Sequence, residues 1–339
     1  QQARDTRASL DGPLDMDELW NFFFETGFVY PQKYLHLQQN KEELKETYQK
    51  VYANNSPLAK YFLYRERGAI RAHMSMLRFY NRAWLIHHHA ADSRQGRTGG
   101  ARVLSQISRY VNEIYTLDSA RMDYVFCYFR PENKFPERVF GGFAKYLRDP
   151  GKCSRDTFAY VFKEKLSVAN SLPDDWTLRR VSNDDLLDFS AFYQELSGGL
   201  LFRAFDFQAR GRLDQDLVTA YQKMGFDREN LMFSLQHKGE LKVLVLISRS
   251  APGLNMSDLT NCIKLFIVDK HGLNRRIFWT MITALESRIK DCKMPLLVYP
   301  LDSLKDVGLD YDKLYSLWIF DLEYLDDYFA YGNKLFKTL

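Results

Sequence analysis

One run of residues constrains the fold of this chain more than any other: Trp84-Leu85-Ile86-His87-His88-His89-Ala90-Ala91-Asp92-Ser93-Arg94-Gln95-Gly96-Arg97-Thr98-Gly99-Gly100-Ala101. It begins apolar and ends small and glycine-rich, which reads as a strand passing through a turn into a helix. First-turn amides of a helix have no partner inside it, and small and basic residues beside them let an anion approach. An anionic ligand is therefore one expectation for this run. A plain strand-to-helix connection is the other.

The neighbouring segments supply a sheet for that strand. Leu14 to Phe24 has the pattern of an amphipathic helix, with Asp15, Asp17 and Glu18 in its first turn, and Lys41 to Tyr52 suits a second helix. Ala59 to Tyr80 reads as a hairpin about Arg65-Glu66-Arg67-Gly68, followed by the strand Ala83 to Ala91. A helix from about Gly100 to Tyr115 carries Val103, Leu104, Ile107, Tyr110, Val111 and Ile114 at helical spacing. Met122 to Phe129 is a strand-forming run halted by Arg130-Pro131-Glu132-Asn133, and a short helix and a strand at Thr157 to Phe162 follow. Such an order predicts an α/β unit, a mixed and mostly antiparallel sheet with helices on both faces.

At 339 residues the chain exceeds the usual size of a single core. The second half echoes the first: a hairpin about Gly239, a strand at Ile263 to Val268, a helix at Ile277 to Ile289, the strand Leu296 to Pro300 and a last strand at Leu314 to Ile319. The expectation is a tandem repeat with a tail or linker over 1–13, an N-terminal unit over 14–165 and a C-terminal unit over 172–339, the boundary lying near Leu166 to Asp175.

Composition removes several classes. An apolar fraction of 46% with 25 Phe and 21 Tyr argues for a filled interior rather than disorder. The net charge of +4, with both signs interspersed, demands no nucleic-acid partner. Cys127, Cys153, Cys262 and Cys292 follow neither a zinc nor a disulfide spacing, which suits a reducing cytoplasm. No apolar run approaches the ~18 residues of a spanning helix, and the start lacks a signal peptide's apolar segment. A cytoplasmic protein is the expectation.

The first half resembles the GCN5-related N-acetyltransferase (GNAT) family, and the whole chain resembles a tandem pair of GNAT-like domains. In that family a turn of the pattern Gln or Arg, two residues, Gly, one residue, Gly or Ala holds the pyrophosphate of acetyl-CoA. Gly96-Arg97-Thr98-Gly99-Gly100-Ala101 matches its last part through Gly99 and Ala101, with Gly96 at the Gln or Arg position; starting from Arg94 instead puts Arg97 at the first glycine. Asn133 followed by Phe140-Gly141-Gly142-Phe143 is similar to the family's later segment, but Arg138 stands where its general-acid tyrosine is common. The second copy has a single glycine in Asp269-Lys270-His271-Gly272-Leu273-Asn274 and is expected to bind no CoA. A looser likeness is to bacterial proteins in which such a region follows a PilZ domain, the cyclic-di-GMP receptor module.

The resemblance implies an acyl or aminoacyl transferase that uses acetyl-CoA or another acyl-CoA and a small-molecule or peptide amine acceptor. The rival is a non-catalytic regulatory or scaffolding module. Cofactor-binding candidates are Ala90, Arg94, Gly96, Arg97, Thr98, Gly99, Gly100, Ala101 and Asn133. On a regular strand His87 and His89 face one side and His88 the other; either of the first two suits a general base, a structural histidine or, given a third ligand, a metal, and no metal is expected. Glu132 is a further candidate base at a strand end. Arg130 is a candidate substrate clamp or half of a surface ion pair, and Asn255, Ser257 and Asp258 are a loop that either orients an acceptor or merely shapes the chain.

Overall fold

A computed structural model describes residues 8–10, 14–28, 40–52, 56–92, 98–161, 171–251, 253–288 and 294–337. Strand β1 (Ala8–Leu10) leads to helix α1 (Met16–Glu25), whose start is fixed by Asp15 accepting from the amides of Asp17 and Glu18 at 2.7 and 3.2 Å. Its apolar stripe, Leu19, Trp20, Phe22 and Phe23, is buried. Helix α2 (Lys41–Val51) follows, then the hairpin β2 (Ala59–Glu66) and β3 (Ala69–Arg78). Arg67 and Gly68 close it at φ of 51° and 82°, the positive values that match the twist of two-residue hairpins.

Strand β4 (Ala83–Ala91) runs into α3 (Thr98–Ile114), which starts two residues before the expected Gly100. Strand β5 (Tyr124–Phe129) then leads through a wound segment at 134–141 into α4 (Gly142–Leu147) and β6 (Cys153–Val161). The second half opens with β7 (Trp176–Arg180), α5 (Asn183–Ser197), α6 (Leu200–Ala204) and α7 (Gln215–Lys223). It repeats the earlier order with β8 (Arg228–His237), β9 (Glu240–Ser250), β10 (Cys262–Ile267), α8 (Arg275–Arg288), β11 (Leu296–Tyr299), α9 (Asp302–Val307) and β12 (Lys313–Asp321), and ends in α10 (Leu325–Lys337). Residues 162–170, where half of the expected boundary falls, lie outside the described residues.

The described strands form one continuous sheet in the order β1-β2-β3-β4-β5-β12-β6-β11-β10-β9-β8-β7. Within it each copy gives its last strand to the other: β12 pairs with β5 and β6, and β6 pairs with β12 and β11. The exchange covers what would be two exposed edges, and β12 meets β6 along eight residues from Lys313↔Tyr160 to Phe320↔Cys153. Only β4–β5 and β10–β11 are parallel, at equivalent places in the two copies, and all other pairs are antiparallel.

One face of the sheet carries a single core that crosses both halves, in which α1, α2, α5, α6 and α7 pack on alternate strand residues such as Leu85, Phe126, Leu244 and Phe266. The other face carries two separate cores, α3, α4 and α10 over the first half and α8 and α9 over the second. Helices therefore lie on both faces, as the pattern predicts.

Candidate ligand cleft where β4 and β5 part

Strand β4 pairs in parallel with β5 from Ala83↔Tyr124 to Ile86↔Cys127, after which the two separate. The separation starts at a bulge: β3 pairs His73 with Ala90 and Ser75 with His87, and the extra residue, His88, takes a φ of 52°. Period-two alternation is lost there, which corrects the expected facing of the histidines. His87 and His88 both turn toward α1 and α2, their ring centroids 3.9 Å apart, whereas His89 turns to the start of α3 and lies 4.8 Å from the Phe135 ring.

His88 is held firmly. Tyr52 Oη donates to Ser75 Oγ at 2.9 Å, and Ser75 Oγ donates to the His87 carbonyl at 3.3 Å. With its proton so used, Tyr52 Oη accepts from His88 Nδ1 at 3.1 Å, and Tyr48 Oη lies 3.2 Å from Nε2. His73 Nδ1 donates to the His88 carbonyl at 2.9 Å. These contacts lock the bulge against α2 and mark His88 as structural.

The parting opens two adjoining cavities that share Gly27, Phe28, His89, Asn133 and Pro136 in their walls. The larger, about 720 Å³, sits at the start of α3 and is also lined by Ala90, Asp92, Gly100, Ala101 and Arg138. The smaller, about 320 Å³, lies deeper, between His87, Tyr128 and Arg130 of the first half and Asn255, Met256 and Ser257 of the second. The loop carrying Met256 is held over the first half by close packing: a Cβ on Gly253, at φ 89°, would stand 2.5 Å from Leu44 of α2.

Around these cavities buried polar atoms lack partners. Both ring nitrogens of His87, Nε2 of His89, the Tyr128 hydroxyl and Nε of Arg130 have none among the described residues. Such orphans are costly in a closed interior, and their convergence on one place points to a ligand or water. Burial first, and then the field of His73, lower His87 to about 3 and His89 to about 4, so both rings are neutral at physiological pH. Burial pushes the Tyr128 hydroxyl well above its usual range. It stays protonated.

Several expected site residues change standing. Glu132 is exposed, ion-paired with Arg130 and in neither cavity wall, so its position at a strand end gives it no access to the cleft. Asp258 lines neither cavity, and the Oδ1 of Asn255 is taken by the amides of Ser257 at 3.0 Å and Leu259 at 3.4 Å, which is loop shaping. Gly99 faces the sheet: a Cβ there would lie 3.3 Å from Ala72 Cβ and from the Arg71 carbonyl, so close helix-to-strand packing explains that glycine. Gly100 is the residue that faces the cleft, where a Cβ would stand 3.1 Å from His89 Nε2. Arg94, Gly96 and Arg97 lie outside the described residues, and Thr98 opens α3. Tyr128 and Met256 were not anticipated; the one sequence signal for Tyr128 is its place just before Arg130-Pro131, where the strand must end.

The equivalent crevice of the second half is filled. Phe266 and Tyr299 meet at 6.4 Å between ring centroids, with Phe158 5.0 Å from Tyr299 and Phe189 5.0 Å from Phe266. Buried Asp156 beneath them accepts from Tyr193, Ser197 and Tyr299, and burial raises its carboxyl. Among the described residues no group of three or more His, Cys, Asp or Glu side chains is placed to hold a metal, and no helix is long and apolar enough to cross a membrane.

No known sequence family and no curated protein matches this chain. Solved structures do. It is similar to a GCN5-related N-acetyltransferase from Sphaerobacter thermophilus at 10% identity and a TM-score of 0.45, with 94% of this chain and 97% of that one covered. It is also similar to a tandem GNAT protein from the clavulanic acid biosynthesis pathway at 10% identity and a TM-score of 0.39, over 93% of this chain and 98% of that one.

Proposed function

We propose that the cleft between β4 and β5 transfers an acyl group from an acyl-CoA to an amine. The observation that carries this reading is the convergence of partnerless buried polar atoms on a cavity that opens directly into a second one at the start of a 17-residue helix. An acyl thioester would supply an activated acyl carbon and a thiol leaving group. The fit of such a group is supported by the larger cavity's volume, by Gly100 presenting no side chain toward His89, and by the first-turn amides of α3 beside them. Lys134 and Arg138 in the same wall suit phosphate, and the acidic Asp92 is offset by Arg71, whose Nη1 is 3.2 Å from it.

The chain's own groups divide the remaining work. A cavity walled by Ile86, Phe129, Phe140 and Met256 excludes water and favours an amine in its neutral, nucleophilic form. His87, too weak a base to draw a proton from an ammonium ion, is suited to accept a hydrogen bond from that neutral amine. The nitrogen gives up one proton and the departing sulfur takes one. Tyr128, which keeps its proton at Oη, is the group suited to donate in place of the tyrosine that Arg138 replaces.

Calorimetric titration of CoA into the full chain tests the donor side. Saturable binding that falls at least ~10-fold in Gly100→Val supports the reading, and absence of binding overturns it. Binding without acetyl transfer to any of a panel of amino acids, peptides and polyamines would instead favour a non-catalytic regulatory or scaffolding module.

A further inference from the structure

Among the described residues, the wall of the smaller cavity contains no carboxylate. Its polar groups are His87, His88, His89, Tyr128, Tyr315, Asn133, Asn255, Ser257 and one cation, Arg130, set among Phe28, Leu85, Phe129, Phe140 and Met256. Acids that adjoin wall residues in sequence lie outside it: Glu132 is exposed and bound to a terminal nitrogen of Arg130, and Asp258, between Ser257 and Leu259, lines neither cavity. A site built for a polyamine or a lysine side chain needs acids to repay the desolvation of those cations. This one has none.

Arg130 adds a positive requirement. With Glu132 on a terminal nitrogen, its Nε hydrogen remains buried and without a partner among the described residues. A buried donor of that kind is satisfied by an anionic oxygen, and a carboxylate forms the strongest such bond with a guanidinium. The volume of about 320 Å³ is at the small end of ligand sites, and its apolar lining suits one apolar side chain.

We infer that the acceptor is a free α-amino acid with an apolar or aromatic side chain, its carboxylate held by Arg130 and its body in the cavity lined by Tyr128, Phe129 and Met256. That such a ligand is acylated rests on the acyl-transfer reading; its binding does not. An α-amine is also easier to deliver neutral than a lysine-type amine, whose pKa near 10.4 lies above the roughly 8 of an α-amino group.

Isothermal titration of the full chain without any acyl donor, using L-phenylalanine, phenethylamine and spermidine as probes, separates the two readings. L-phenylalanine should bind at least ~10-fold more tightly than phenethylamine, which lacks the carboxylate, and spermidine should not bind measurably. Arg130→Gln should reduce L-phenylalanine affinity at least ~10-fold and leave phenethylamine within about twofold, which a merely misfolded variant would not do. Spermidine binding as tightly as L-phenylalanine, an unchanged affinity in Arg130→Gln, or no L-phenylalanine binding at millimolar concentration overturns the inference. Binding of L-phenylalanine without acetyl transfer would leave the inference standing and remove the acyl-transfer reading, and acetylation of spermidine would do the reverse.

Discussion

In the first half, strand β4 continues for five residues, His87 to Ala91, past its last pair with β5. In the second half, β10 continues past β11 by Ile267 alone, and β11 ends at its last paired residue, Tyr299. The overhang in the first half carries histidines and opens onto cavities, whereas aromatic rings close the equivalent crevice in the second. The same topology thus serves two ends. A crevice between parting strands is either kept open, at the cost of buried polar atoms without partners, or filled and converted into core.

Acid should separate the halves most strongly. His73, His87 and His89 have folded values of about 4, about 3 and about 4, below the ordinary 6.5, so each stays neutral when folded and takes a proton when unfolded. Stability is therefore full above pH 6.5 and is lost as pH falls from there toward 4. By pH 5 each, acting alone, should have cost about 2 kcal/mol. Asp206 runs oppositely, since burial raises it to about 7 and its penalty is relieved by acid. Urea denaturation at pH 7 and pH 5 measures the loss, and hydrogen exchange should show β3 and β4 losing protection before β10; equal stability at both pH values would contradict the neutral burial of the histidines.

Phe266→Ala should reopen the filled crevice and cost about 3 to 5 kcal/mol by chemical denaturation, with CoA affinity unchanged. If that variant instead gained CoA binding, the second half would be a plugged site rather than simple core. Tyr128→Phe should lower kcat about 100-fold with little change in KM, and a wild-type pH profile in that variant would exclude proton donation by Tyr128.

The adjacent glycines offer a finer division. Gly99→Val, pressed on the Ala72 and Arg71 backbone region, should cost about 1 to 3 kcal/mol in stability, while Gly100→Val should act mainly on CoA affinity. Reversed outcomes would place the cleft on the other side of α3. Glu132→Gln should change stability by less than about 0.5 kcal/mol, because an exposed ion pair contributes little, and a large loss of acetyl transfer in it would restore Glu132 as a base.

How far the site could be read in advance differs residue by residue. Ala90, Gly100, Ala101 and Asn133 follow from the strand-to-helix run and the strand end, and all line the larger cavity. The roles of Gly99 and His88 could not be read, because one depends on what lies across from a helix and the other on a bulge that only the β3 partner reveals. Glu132 and Asp258 have suitable chemistry near suitable loops, but side-chain direction after a strand end is set by packing rather than by spacing.

By itself, the sequence determined the main elements of the first half and the hairpin, strand, helix and strand order that the second half repeats, since hydrophobic period, caps and turn residues act over a few neighbouring positions; strand β7, helices α5, α6 and α7 and the last helix, α10, were not read from it. The hairpins at Arg67-Gly68 and Lys238-Gly239, the strand 83–91 and the α3 stripe are all of this local kind. Only the tertiary structure decided that β6 and β12 change places, since either copy offers each strand an equally suitable antiparallel neighbour. It also decided that 255–257 closes over a cavity begun by 86–89. Contacts between residues more than 150 positions apart depend on the whole core being assembled, and no local pattern encodes them.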